Sequence, residues 1–393
     1  MSRAVISAWA RRYVLVAVCW LVLWQAALLV DVPRQTEVVL GLYGFVLHVV
    51  FGKAYSLVPT YFDRTLSEPR AAALGLPLTA VGVACLAFEP MAGVPDTVGL
   101  VGAVSWIAGV SLFVGVLVWT IRDNPTGAET GTGGVNVHRA SVDRVVNAFV
   151  PIALAYLLFG SYETLALYGV VPSAFDGYPP RATHLLGAGT ATLLVFALGF
   201  RLLPRFLVAE PPRSLVVVVL AAGAVGPLLL AASLPAGTAL AVAGAIEALA
   251  VIGYAVGFLV LFRRSDRRRV AFYGVLLGAV GGVAAVLLGL WLAVGGLDSG
   301  ILAAHRRLTL LGFLGLTIVG VSLQFYPPNV GRWPGCSDRT ALLAIGLLAA
   351  AAAIQAAGLT FSSPPVERVG ATVGIVGALA YGYLLVAAFA TRR

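Results

Sequence analysis

The chain has 393 residues, of which 60% are apolar and 11% charged, and its mean hydropathy is +0.96. Soluble domains carry roughly a quarter charged residues, so this composition excludes a soluble enzyme or binding module and requires an integral membrane protein. The net charge of +9 comes almost wholly from arginines at the ends of apolar runs, which makes anionic lipid headgroups the expected neighbours and argues against nucleic acid as a partner.

A helix needs about 20 apolar residues to cross the hydrocarbon core. Charged clusters cut this sequence into twelve runs of that size: residues 12–30, 37–60, 71–88, 97–121, 144–168, 182–204, 213–233, 237–262, 270–294, 301–325, 340–359 and 367–390. The expected fold is all-α, a single transmembrane domain of twelve helices over residues 1–393. The first run has a basic flank and no small-x-small cleavage site at a sensible distance, so it reads as a retained helix. Cys19 and Cys85 fall within predicted helices and Cys336 in a loop, a pattern with neither a disulfide framework nor a metal-binding cysteine pair.

The second, sixth and tenth runs fall into register when aligned on Pro59, Pro204 and Pro327. Fifteen residues before these prolines stand Gly44, Gly189 and Gly312, and seven before them Gly52, Ala197 and Gly320. Twenty to twenty-two residues before them come polar groups: Glu37, then His184, then His305 with Arg307. Three such units of four helices each, residues 1–121, 144–262 and 270–390, are parallel repeats, because each contains an even number of crossings. The three motif helices should line the interior, with their polar ends together at one face. Their glycines have two readings: close approach of helix backbones, or room for a flat cofactor.

Nineteen arginines fall on the side that carries the N-terminus, Arg3, Arg392, Arg393 and the Arg263–Arg269 cluster among them, against five at the other. That bias places both termini in the cytoplasm, in a plasma (inner) membrane. The loop 122–142 is rich in Gly, Thr and Asn without apolar periodicity and is expected to be flexible. It lacks the Gly-Lys-Ser/Thr ending of a phosphate-binding loop, and His138 within it reads as a surface histidine.

Ionisable groups inside a bilayer are costly, so each is a site hypothesis. His184 and His305 lie within about a turn of their helix starts. His48 is eleven residues beyond Glu37, about 16 Å along the axis and near mid-membrane. It is either a neutral histidine bonded to a neighbouring helix or a cofactor ligand. Lys53, the only lysine, has a stem long enough to snorkel towards the proline end. Glu247 is ten residues into the eighth run, about 15 Å deep, and must face the interior either protonated or paired. Glu163, near the end of the fifth run, is placed to join the polar layer of Glu37 and Arg307, two opposite charges expected to meet.

Three groups of four helices, with histidines on the second, sixth and tenth near the outer face, resemble the main subunit of haem-copper oxidases and nitric-oxide reductases. The phrases Phe51-Gly-Lys-Ala-Tyr-Ser-Leu-Val-Pro, His184-Leu-Leu-Gly-Ala-Gly-Thr-Ala-Thr and His305-Arg-Arg-Leu-Thr-Leu-Leu-Gly-Phe-Leu-Gly are similar to those of the NnrS family of haem-and-copper membrane proteins. The resemblance covers the whole chain in architecture and about 70 residues in motif. It implies haem ligation by His305 with His184 on the same cavity. It also exposes departures: the oxidase pattern has His-x-His on the tenth helix, whereas the second position here is Arg307. The second helix starts with Glu37 where a low-spin haem ligand is needed, and the seventh has no histidine for copper.

The resemblance therefore implies one b-type haem and no copper. It points to a redox or nitric-oxide/gas-response role with a redox partner protein, without a complete catalytic site for oxygen reduction. The competing expectation is a haem-free carrier of a small solute or ion, or a partner subunit of a membrane complex, in which the same residues only fix helix packing.

Overall fold

The structure, a computed structural model, describes residues 2–391, with side chains from residue 4 onward; Arg392, Arg393 and the side chain of Arg3 lie outside the described residues. No strand occurs among them. Twelve helices are long and apolar enough to cross a membrane: α1 (Ala4–Ala27), α2 (Arg34–Tyr61), α3 (Ala71–Phe88), α4 (Asp96–Ile121), α5 (Gly134–Ala166), α6 (Pro179–Leu207), α7 (Arg213–Ser233), α8 (Thr238–Arg264), α9 (Val270–Gly295), α10 (Ser299–Phe325), α11 (Asp338–Thr360) and α12 (Pro364–Thr391). Hydrocarbon offers backbone groups no hydrogen-bond partner, so each apolar run must satisfy its own as a helix. Twelve such spans make a multi-pass protein seated in a lipid bilayer.

Sequence-derived boundaries differ most at α1 and α5. The helix of α1 runs on through its basic flank, where Arg12 lies 4.2 Å from the centre of the Trp9 ring. The first six residues of α5, Gly134–Arg139, are a 3₁₀ turn that continues directly into its α-helical part, Ala140–Ala166.

Burial separates the helices into two classes. In α2, α6 and α10, 89, 83 and 72% of the apolar window is buried within the protein, against 33 to 56% in the other nine. These three form the centre, and the outer helices turn residues such as Val101, Leu249 and Val280 outward. Each central helix also contains a π-helical stretch: Val39–Leu47, Leu185–Thr192 and Leu308–Gly315. All three end twelve residues before Pro59, Pro204 and Pro327, and the stretch in α2 touches those in α6 and α10. Wider turns of this kind free carbonyls from the i→i+4 pattern. One of them, Tyr43 O, accepts the Nδ1–H of His48 at 2.8 Å.

Most motif glycines serve helix packing. A Cβ at Gly320 would stand 2.6 Å from Ala271 O of α9, and one at Gly281 of α9 would stand 2.4 Å from Gly312 O. Gly44 makes room for Trp20, and Gly189 for the Tyr156 ring. Without a hydrophobic drive between helices in lipid, such close approaches are what holds them together.

Buried polar groups close on the backbone of the loop after α4. Asn124 Nδ2 donates to Phe62 O and to Glu129 O, at 3.0 and 2.7 Å. Arg201, buried in α6, donates to Thr130 O, Tyr61 O and Asn147 Oδ1. Asp143 is buried against Arg205 at 2.5 Å, with Thr132 donating to the same carboxylate. His138 lies at the surface, 2.7 Å from Glu210.

Candidate functional site

Asp298 caps the start of α10, accepting the Ile301 N–H at 2.8 Å, and His305 follows two turns on. Nδ1 of His305 is 2.7 Å from Ala285 O of α9. The imidazole lies over Gly289, where a Cβ would stand 2.9 Å from its Cε1. On α6, prolines at the first helical positions open the helix and His184 follows, Nδ1 2.8 Å from Pro180 O.

A carbonyl oxygen only accepts, so the proton of each neutral ring is on Nδ1 and Nε2 carries a lone pair. Nothing among the described residues hydrogen-bonds Nε2 of either histidine. The carbonyl that orients the ring and raises its basicity is the usual outer support of a metal-binding histidine.

Both histidines line one cavity between α2, α6, α7, α8, α9 and α10, with about 1270 Å³ of space unfilled by atoms including its open mouth. Its walls are mainly aliphatic. Gly187 and Gly244 present no side chain, and a Cβ on either would meet only ordinary contacts at 3.6 Å or more. Arg34 and Arg306 stand on the same lining. Arg34 forms no ion pair within 4 Å among the described residues, although Glu37 lies near enough to act on its charge.

Beside the cavity a four-charge network links α2, α10 and α12. Glu37 Oε1 is 2.9 Å from Arg307 Nη2, and Glu37 Oε2 is 2.7 Å from Arg306 Nη2. Glu367 of α12 lies 3.3 Å from Arg307. Arg307 is 1% exposed, and its Nε and Nη1 have no partner, so the network neutralises the charge without satisfying every donor.

The other singled-out residues go elsewhere. Glu163 does not join this network: it accepts from Ser173 Oγ at 2.6 Å and Ala174 N at 2.9 Å, closing the loop before α6. In that loop Asp176 binds Arg181 at 2.6 Å, and that hydrogen bond brings its carboxyl down to about 2. His48 is fully buried among Tyr13, Phe51 and Trp106, with Nε2 3.2 Å from Thr79 Oγ1 of α3. It is bonded at both nitrogens and does not line the cavity. Lys53 reaches the end of α10, where Nζ lies 4.2 and 4.0 Å from the ring centres of Phe325 and Tyr326. Glu247 does line the cavity, buried and with Oε2 unpartnered.

Sequence reasoning passed over several polar residues. Gln355 of α11 donates to Gln25 of α1 at 2.8 Å, both fully buried, and Gly374 of α12 leaves the space that Gln25 occupies. Single amides inside apolar runs were the available signal. Arg34 was visible only as one more basic residue at a helix mouth.

No protein-family model matches this chain, and no curated protein matches it either.

Proposed function

We propose that this protein binds one b-type haem in the cavity between α6 and α10 and serves in electron transfer or in the response to nitric oxide or another gas. The observation that carries the reading is the pair His184 and His305, each with Nδ1 tied to a carbonyl and Nε2 unpaired on a shared apolar cavity. Two neutral imidazoles presented this way are the donor set of a haem iron. The rest of the lining suits the same group: Gly187 and Gly244 leave flat wall, aliphatic side chains exclude water, and Arg34 and Arg306 supply positive charge for two propionates. When bound, haem would supply one-electron chemistry and an affinity for small gases. The chain's own share is to orient both rings, keep the pocket dry and balance charge at its mouth.

Oxygen reduction at a haem-copper pair does not fit these residues. Of four histidines, His48 is committed to Tyr43 and Thr79 and His138 to Glu210, which leaves two at the cavity where iron and copper together need more. On this reading Arg307, held by Glu37 and Glu367, stands where a low-spin haem ligand is missing. The matching register of the three π-helical stretches favours three parallel four-helix repeats of the haem-copper oxidase and NnrS kind. The arginine bias favours cytoplasmic termini in a plasma membrane.

The test is His305→Ala and His184→Ala in protein purified from cells grown with ample haem. His305→Ala should lose the haem spectrum while inserting normally, and His184→Ala should retain haem with an altered spectrum. Unchanged spectra in both variants would defeat the assignment.

A further inference from the structure

Glu247 of α8 is the only carboxylic acid lining the cavity among the described residues. It lies nine residues beyond Thr238, about 14 Å along the helix axis, too deep for its short side chain to reach water at either face. Oε2 is pressed against Gly226 of α7, where a Cβ would stand 2.6 Å away, so the glycine is what admits the carboxyl group. The oxygen has no hydrogen-bond partner, and Glu247 belongs to no ion pair among the described residues.

The ionisable groups facing this carboxyl are few. Across the cavity stand His184 of α6, His305 and Arg306 of α10 and Arg34 of α2; α7 and α9 contribute none to the lining. Tyr156 of α5 is close by, but its hydroxyl donates to Ala224 O at 2.5 Å. Arg306 is engaged by Glu37. A lone carboxylate in this setting is strongly disfavoured, so the resting side chain is the neutral acid. Neither Arg34 nor Arg306 forms an ion pair with it; a further positive charge placed between the histidines opposes that preference, because attraction across a poorly screened interior shifts the protonation equilibrium tenfold or more.

We infer that Glu247 is the proton-exchanging site of this cavity: it keeps a proton while the only fixed positive charges on the lining are Arg34 and Arg306, neither of which pairs with it, and releases it when a further positive charge is placed between His184 and His305. The inference rests on the haem reading for the identity of that charge, the oxidised iron. With haem bound, reduction by an external one-electron donor would be accompanied by addition of one proton from solvent to a Glu247 carboxylate oxygen. The cavity's net charge stays constant through the step.

Two measurements test this. In haem-loaded protein the midpoint potential should fall with rising pH, by up to tenfold in the redox equilibrium per unit, which is about 59 mV. Glu247→Gln should flatten that slope with the haem band intact, and Glu247→Asp should keep a slope over a shifted pH range. Equal slopes in wild type and Glu247→Gln would overturn the inference. The second measurement needs no haem: infrared spectra at neutral pH should show a protonated carboxylic-acid C=O band that is absent in Glu247→Gln. Protein without haem but with this band would defeat the haem assignment and leave the protonated site standing. Absence of the band from haem-free wild type would overturn the inference.

Discussion

Glu37 and Arg307 are 270 residues apart in sequence and meet at 2.9 Å between α2 and α10, with Arg307 almost wholly buried. A buried ion pair adds little over apolar packing, yet removing one partner strands the other at a cost of about 3 to 5 kcal/mol. Glu37→Gln leaves Arg306 without an acid and Arg307 with Glu367 alone, so it should destabilise the protein by up to about that amount, and Glu37→Gln with Arg307→Gln by less. Denaturant unfolding in one detergent would measure both. A double variant less stable than the single would contradict the pairing.

Gly289 determines whether His305 has its place. A Cβ there would stand 2.9 Å from the imidazole Cε1, and the Ala285 carbonyl that holds Nδ1 is one turn away on the same helix. Gly289→Val should displace the ring and reduce haem binding at least tenfold while the protein still inserts and melts cooperatively. Titrating the purified variant with hemin measures this, and an affinity equal to wild type would show that the ring position does not matter.

The Asp176–Arg181 pair sets a pH dependence outside the membrane. The Arg181 hydrogen bond lowers the Asp176 carboxyl from its ordinary 3.8 to about 2. A depressed acid contributes stability that is fully present above its unfolded value and is lost as pH falls through the folded one. The contribution should be constant from neutral pH down to about 5 and disappear between about 4 and 2. Melting temperatures of wild type and Asp176→Asn should differ at neutral pH and converge in that acid range. Parallel curves down to pH 2 would show that the pair does not stabilise the fold.

Arg201 anchors the loop after α4 through Thr130, Tyr61 and Asn147. Arg201→Leu takes the guanidinium from Thr130 O and Asn147 Oδ1, while Tyr61 O keeps the Asn147 amide, a loss of about 3 kcal/mol. It should also open residues 122–133 to protease in solubilised protein. An unchanged cleavage pattern would mean that Asn124, Asp143, Arg144 and Asn147 hold the loop without Arg201.

The crossings were legible in the sequence because hydrocarbon length and charge spacing leave little choice, and burial of α2, α6 and α10 followed from small residues and polar groups at matched distances from a proline. The π-helical stretches were not legible: their carbonyl pattern depends on packing against neighbours, not on residue type. The contacts of the loop were not legible for a related reason. Its Gly, Thr and Asn residues show no periodicity, yet Arg201, Asn147 and Asp143 on other segments supply its hydrogen bonds. His184 and His305 could be picked from depth and register, whereas the unpaired state of Nε2 needed the positions of Pro180 O and Ala285 O. Glu163 looked like a partner for Arg307 by depth alone, but the turn through Ser173 and Ala174 brings closer donors.

The most direct test of the account is the absorption spectrum of the purified wild-type protein, expressed with ample haem and compared with a protein determination on the same sample. The account predicts an intense near-ultraviolet haem band corresponding to one haem per chain, which shifts on reduction and is absent from His305→Ala. Colourless, folded wild-type protein that also fails to take up added hemin would contradict it.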